Sequence, residues 1–221
     1  MSQNNDNSNK VEKKMYDGTE EFLSDPWART KTRNGLAGDE VISALQKSIR
    51  KGKERAAVEF GYELYISSPQ FEEKLWRRLL AISVEDIGMG NPMAAILVNN
   101  LNEIRQNFEY SEADRAMMFV HAIRYLCESE KDRSSDLLKN IVIKNFNMGY
   151  VPEIPDYALD KHTTRGQKMG RDSQHFLHID SKVTPQKKVD NGYYDEYDQL
   201  MKNYDPKNIK PTAFKFNPYQ V

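Results

Sequence analysis

Phe71, Leu75, Leu79 and Ile82 recur at helical spacing, and Trp76, Leu80 and Ile87 widen the same face into a broad apolar stripe. A stripe of that width has to be covered by neighbouring helices. Ser68-Pro69 supplies an N-cap and a first helical residue for this segment, and Glu73 precedes Arg77 by four positions, the favourable order for a surface pair. Gly88 offers a left-handed C-terminal cap, and Asn91-Pro92 reads as the N-cap and opening residue of a following helix. Glu85 and Asp86 fall in the last turn, where the macrodipole disfavours carboxylates. The sequence therefore predicts compensation by Arg50, Arg77 or Arg78, or by the N-terminus of the next helix.

The same period recurs on both sides. Val41, Ile42, Leu45 and Ile49 mark a helix with Asp39 as its expected N-cap, closed by Lys51-Gly52. A second runs from about Lys53 to Ser67. A fourth opens at Pro92, with Ala95, Ile96, Val98, Leu101 and Ile104 as its apolar positions. Ser111 and Asp114 have the spacing of a capping box and start a fifth, and Leu137, Leu138, Ile141 and Val142 mark a sixth from Ser134 to Asn147. Short links and the lack of alternating segments predict an all-α bundle of about six short helices, with irregular N- and C-terminal extensions. The expected division is a flexible arm over 1–37, a helical core over 38–150, a polar loop packed on the core over 151–180, and a Tyr- and Pro-rich extended tail over 181–221. One short helix is expected in that tail near Tyr193 to Tyr204. Trp27, alone in a polar tract, is expected to pack onto the chain's own core.

Composition excludes several classes. The 221 residues are 29% charged with a formal net charge of −1, so bulk electrostatics do not announce a nucleic-acid binder, and such binding would need a local patch. No apolar run approaches the roughly 18 residues of a membrane span, and no signal-like apolar region opens the chain. Cys127 is the sole cysteine, which excludes an internal disulfide and a cysteine zinc cluster and suits a cytoplasmic protein. It lies on an apolar helix face and reads as structural.

No phosphate-binding Gly-Lys-Ser/Thr loop, nucleophile elbow, His-Glu-x-x-His or dinucleotide fingerprint is present, and no cofactor is expected. The densest polar stretch runs from Tyr157 to Asp180 and holds His162, His175 and His178, a candidate metal set for a small metal-dependent enzyme or metal protein. His-x-x-His is common by chance, so this reading stands second. Lys161, Arg165, Lys168 and Arg171, interleaved with Gly166 and Gly170, form a candidate phosphate or DNA contact. A bland connection, its charges paired among themselves, outranks that. A tyrosine-rich tail that folds on a partner is a third possibility.

The residues from Asp39 to Arg50 and from Trp76 to Pro92 resemble the C-terminal region of replication-associated recombination AAA+ ATPases of the RarA/MgsA type. Those relatives of clamp loaders share a Ser-Ala-x-x-Lys-Ser-Ile-Arg helix and an Arg-Arg-Leu segment ending in Glu-Asp-Ile-Gly and Pro. The resemblance covers about residues 38–180 and loosens after 105. It marks Lys47, Arg50, Arg77, Arg78, Glu85, Asp86, Gly88 and Pro92 as signature positions, with ion pairing as their expected role rather than catalysis. It implies an all-α assembly domain, homotetrameric in the family, at work in DNA replication or repair. The ATPase module is absent from this sequence, so the expected protein is a non-catalytic module that self-associates and docks to an ATPase or DNA.

Overall fold

The computed structural model describes residues 26–205, 207 and 208, and the readings placed on residues 1–25 and 209–221 lie outside them. Among the described residues the chain is helical, with no strand beyond an isolated antiparallel bridge between Lys31 and Ala37. It divides into two units, residues 1–150 and 151–221.

In the first unit a 3-10 turn, Pro26–Arg29, leads to six helices: α1 (Gly38–Arg50), α2 (Glu54–Ser67), α3 (Pro69–Ile82), α4 (Ala94–Ile104), α5 (Ala113–Glu128) and α6 (Ser134–Asn147). The all-α expectation and the six helical segments are met. Helices α1 and α3 flank α2, α5 crosses it, and α4 lies against α5 and α3. Their shared core is built from Leu45, Ile49, Leu64, Leu75, Leu79, Ile82, Ile87, Val98, Phe119, Ile123 and Leu126, all withdrawn from solvent. Burial of such side chains contributes about 1.5–3 kcal/mol each, which makes this core the main stabiliser of the bundle. Gly61 permits the α2–α5 crossing, since a Cβ there would stand 2.6 Å from Cδ1 of Ile123. Trp27 packs on Phe71 with ring centroids 4.9 Å apart, as expected of it.

Several local expectations are corrected. Ala37, not Asp39, is the N-cap of α1, and Asp39 sits in the first turn, where its charge still suits the helix dipole. Ser111 and Asp114 form no capping box: Glu112 is the N-cap of α5, and its carboxylate accepts from the Glu109 amide. Helix α4 begins at Ala94 rather than Pro92; the Asn91 side-chain oxygen accepts from the Met93 amide at 3.3 Å while its nitrogen donates to Tyr125 and Ser129. The Ser68 cap holds, accepting from the Phe71 amide at 3.2 Å. Residues 26–37, read as part of a flexible arm, are folded: Thr32 is buried, and Glu63 on α2 accepts from the backbone and side chain of Asn34. Among the described residues nothing buries the apolar side chains of α6.

In the second unit the stretch read as a polar loop is built of small helical pieces. They are a 3-10 turn (Asp156–Ala158), α7 (Thr164–Lys168), α8 (Ser173–His175) and a π turn (Phe176–Asp180), with Leu159 and Leu177 buried. The short helix expected near Tyr193 to Tyr204 is present as α9 (Tyr193–Asn203).

Candidate functional site

Helix α3 does not stop at its apolar stripe. It widens into a π turn, Ser83–Ile87, which presents Glu85 and Asp86 sideways to α1. Asp86 is fully buried. Arg50 on α1 donates from Nε to Asp86 Oδ1 at 2.5 Å, and Gln46 donates to both carboxylates, at 2.9 Å to Asp86 and 3.0 Å to Glu85. Arg78 reaches Glu85 at 3.4 Å. Arg133, just before α6, stands 3.3 Å from Asp86, a charge contact without hydrogen-bond alignment, and 3.6 Å from Glu85. The carboxylates that ran against the dipole thus sit in a cage of three guanidinium groups, the arrangement that makes buried charge tolerable.

The glycines after this turn have a packing reason. Gly88 adopts φ +51°, and a Cβ there would collide with the Asp132 carbonyl oxygen. A Cβ at Gly90 would lie 2.7 Å from the Glu130 carbonyl oxygen. The backbone of 88–90 therefore lies directly on that of 130–132, sealed by the Asp132 amide donating to the Ile87 carbonyl at 3.1 Å. This contact brings Arg133 to the carboxylates and fixes the start of α6.

Arg77 takes no part in the cage. It is exposed and lines a cleft with Trp27, Lys74 and Arg78. Glu73 does not pair with Arg77; it binds Arg105 instead. Lys47 and Pro92 are exposed.

A second buried charge cluster was not anticipated. Glu72, 2% exposed, lies between Arg105 at 3.1 Å and Arg115, whose Nη2 is at 2.9 Å. Arg115 also donates to the carbonyls of Arg105 and Phe108, at 3.1 and 2.6 Å, tying the α4–α5 link to α3. The hydrogen bond to Glu72 raises the Arg115 pKa further. Tyr65 and Tyr110 stack beside this cluster with centroids 4.9 Å apart. Burial, then the Glu72 charge, raises both phenol pKa values. The only sequence signal for the cluster is an acidic pair at the start of α3, on a face where solvent is expected.

In the second unit the three histidines are separated. His162 pairs with Asp160 at 2.6 Å, His175 with Asp180 at 2.7 Å, and His178 lies 3.1 Å from Asp198. Among the described residues no three His, Cys, Asp or Glu side chains converge as metal ligands, so the metal reading has no support. The cations divide as well. Arg171 holds the Asp156 carboxylate at 2.6 and 2.7 Å and donates to the Leu159 carbonyl, while Lys161 donates to Ser173 and covers the Phe176 ring. Arg165 and Lys168 are exposed. Gly166 is required by the carbonyls of Leu159 and Asp160 pressed against it, and its amide already donates to the Thr163 cap.

Cys127 is buried, and burial pushes its thiol up to about 11, as suits a structural residue. No helix among the described residues is long and apolar enough to cross a membrane.

The family described as MgsA AAA+ ATPase C terminal matches residues 56–213. Replication-associated recombination protein A of Bacillus subtilis (strain 168) is 31% identical over 139 residues, covering 63% of this chain and 32% of that protein. The chain thus spans about a third of the length of this curated relative. With the match extending from α2 beyond α9, the chain belongs to the MgsA AAA+ ATPase C-terminal family.

Proposed function

We propose that this chain is a non-catalytic helical assembly module that self-associates through α6 and serves cytoplasmic DNA replication or repair. An AAA+ ATPase or DNA is the partner of the assembled form. One observation carries the reading. Leu137, Leu138, Ile141, Val142, Ile143, Phe146 and Met148 are 44–77% exposed, and α6 has no buried residue at all. Monomeric proteins rarely leave so continuous an apolar surface in water. A second copy of the same helix is the occupant we assign to it, because a two-fold pairing covers both faces with one self-complementary contact. The relative's name places that protein in replication-associated recombination, which supports the setting. Both buried carboxylate clusters are held by arginines in structural pairs, which favours assembly over catalysis.

Size-exclusion chromatography with light scattering tests the reading. An assembly larger than the monomer is expected, and Leu138→Glu with Ile141→Glu should dissolve it without lowering helix content. A strictly monomeric species at high micromolar concentration sinks the proposal.

A further inference from the structure

The outer side of α3 carries a straight track of cations. Gln70, Lys74, Arg77 and Ala81 follow one another at helical spacing with Arg78 beside them, and together with Trp27 they line a cleft of about 480 Å³. From Gln70 to Ala81 the track runs roughly 16 Å along the helix axis, at about 1.5 Å per residue. The apolar stripe of the same helix is buried in the core, so the track stands on a rigid element.

The positive charges on the track are not consumed by the fold. Arg77 is exposed, and among the described residues neither it nor Lys74 has an ion-pair partner. Lys74 stands 5.3 Å from the centroid of the Trp27 ring. Arg78 gives one amino group to Glu85, and its buried Nε has no hydrogen-bond partner. Glu73, the one carboxylate at the cleft, is engaged by the buried Arg105. A chain with a formal net charge of −1 thus gathers positive charge along one side of one helix, the local patch that nucleic-acid binding requires.

The shape narrows the polyanion. A space of about 480 Å³ admits a nucleotide and is far too small for a duplex. A guanidinium fork fits the paired oxygens of a phosphate, and an indole beside a row of cations matches the alternation of base and phosphate in one strand. An acidic peptide would satisfy the charges but has no use for the aromatic wall at that spacing.

We propose that this cleft binds single-stranded DNA, with Lys74, Arg77 and Arg78 on adjacent phosphates and one base against the Trp27 wall. The proposal rests on the DNA partner named above and gives that partner its place on the domain, on α3 and apart from the α6 face assigned to self-association.

Fluorescence anisotropy of the full chain with a labelled oligothymidylate of about 16 nucleotides tests the cleft. Lys74→Ala with Arg77→Ala should weaken binding at least about tenfold. It should also lower the slope of log affinity against log salt by about 1.4, since each phosphate contact on a single strand contributes about 0.7. Arg77→Gln alone, at an exposed position, should lower the slope by about 0.7. Light scattering of the same variants should show the wild-type assembly, so that loss of binding is read separately from loss of self-association. Arg165→Ala with Lys168→Ala removes two exposed cations elsewhere and should leave the affinity unchanged. An equal loss there marks diffuse charge attraction and overturns the site. A wild-type chain that binds no oligothymidylate at about 50 mM salt also overturns it, while leaving the assembly reading to its own test. A duplex that competes better than the single strand overturns the single-strand assignment. Polyglutamate that competes equally well overturns the nucleic-acid form in favour of an acidic protein partner.

Discussion

Arg50 on α1 and Asp86 in the π turn are 36 positions apart in sequence, and Arg50 Nε meets Asp86 Oδ1 at 2.5 Å. Asp86 is wholly buried while Arg50 keeps partial access to water, so the desolvated partner is the carboxylate. Asp86→Ala should therefore leave Arg50 and Arg133 facing a void and cost about 3–5 kcal/mol. Chemical denaturation measures it, and a melting temperature within about a degree of wild type would count against a structural role for the cage.

Gly88→Ala should destabilise the bundle by more than Gly149→Ala. Both glycines have positive φ, +51° and +89°, so both substitutions carry backbone strain of about 1–3 kcal/mol. Only Gly88 adds a collision with the Asp132 carbonyl, whereas nothing lies near a Cβ at Gly149. Equal losses in a denaturation series would show that the close backbone approach carries no weight.

Glu72 and Arg115 should be strongly coupled. In a double-mutant cycle built from Glu72→Gln and Arg115→Met, the interaction energy is expected in the range of about 1–3 kcal/mol. Additive single losses would show that Arg115 acts through the Arg105 and Phe108 carbonyls alone.

Glu63 sets one limb of the acid stability curve. Burial raises its pKa, but hydrogen bonds from Thr32 and Asn34, and the Arg33 charge, outweigh burial and hold it below the ordinary 4.5. A carboxylate depressed by folding stabilises above its unfolded pKa, and that contribution is lost as pH falls through the folded value. Wild type should lose stability below about pH 4.5 more steeply than Glu63→Gln. Parallel curves between pH 5 and pH 3 would contradict this.

Cys127 should resist thiol reagents in the native state at pH 8, because burial pushes its thiol up to about 11. Reaction with an aromatic disulfide should wait for unfolding. A fast native-state reaction would place the thiol at the surface.

Much of the bundle was legible in the sequence because its signals are local. The apolar period of α3, the Ser68 cap and the Gly52 stop each lie within a few residues of what they organise. The Glu85–Asp86 pair was legible as a problem, since carboxylates at a helix end ask for cations, and Arg50 and Arg78 supply them. Arg133 escaped notice because it arrives by way of the 130–132 backbone lying on Gly88 and Gly90, a contact no periodicity encodes. Glu72, Arg105 and Arg115 escaped for the same reason: each looks like a surface charge until three helices meet around it. The α6 stripe was legible as apolar, but amphipathicity shows that a face wants cover and not what provides it.

The 88–90 and 130–132 contact also bears on how this domain tolerates change in length. Two backbones in direct contact leave no slack, so a one-residue insertion between Ser129 and Arg133 would break that contact and shift the start of α6. The link between α4 and α5 is clasped by side chains rather than by backbone, with Tyr65 donating to the Tyr110 carbonyl and Arg115 to those of Arg105 and Phe108, and side chains can adjust to an added residue. Variation in chain length should accumulate in that link and be nearly absent from the other.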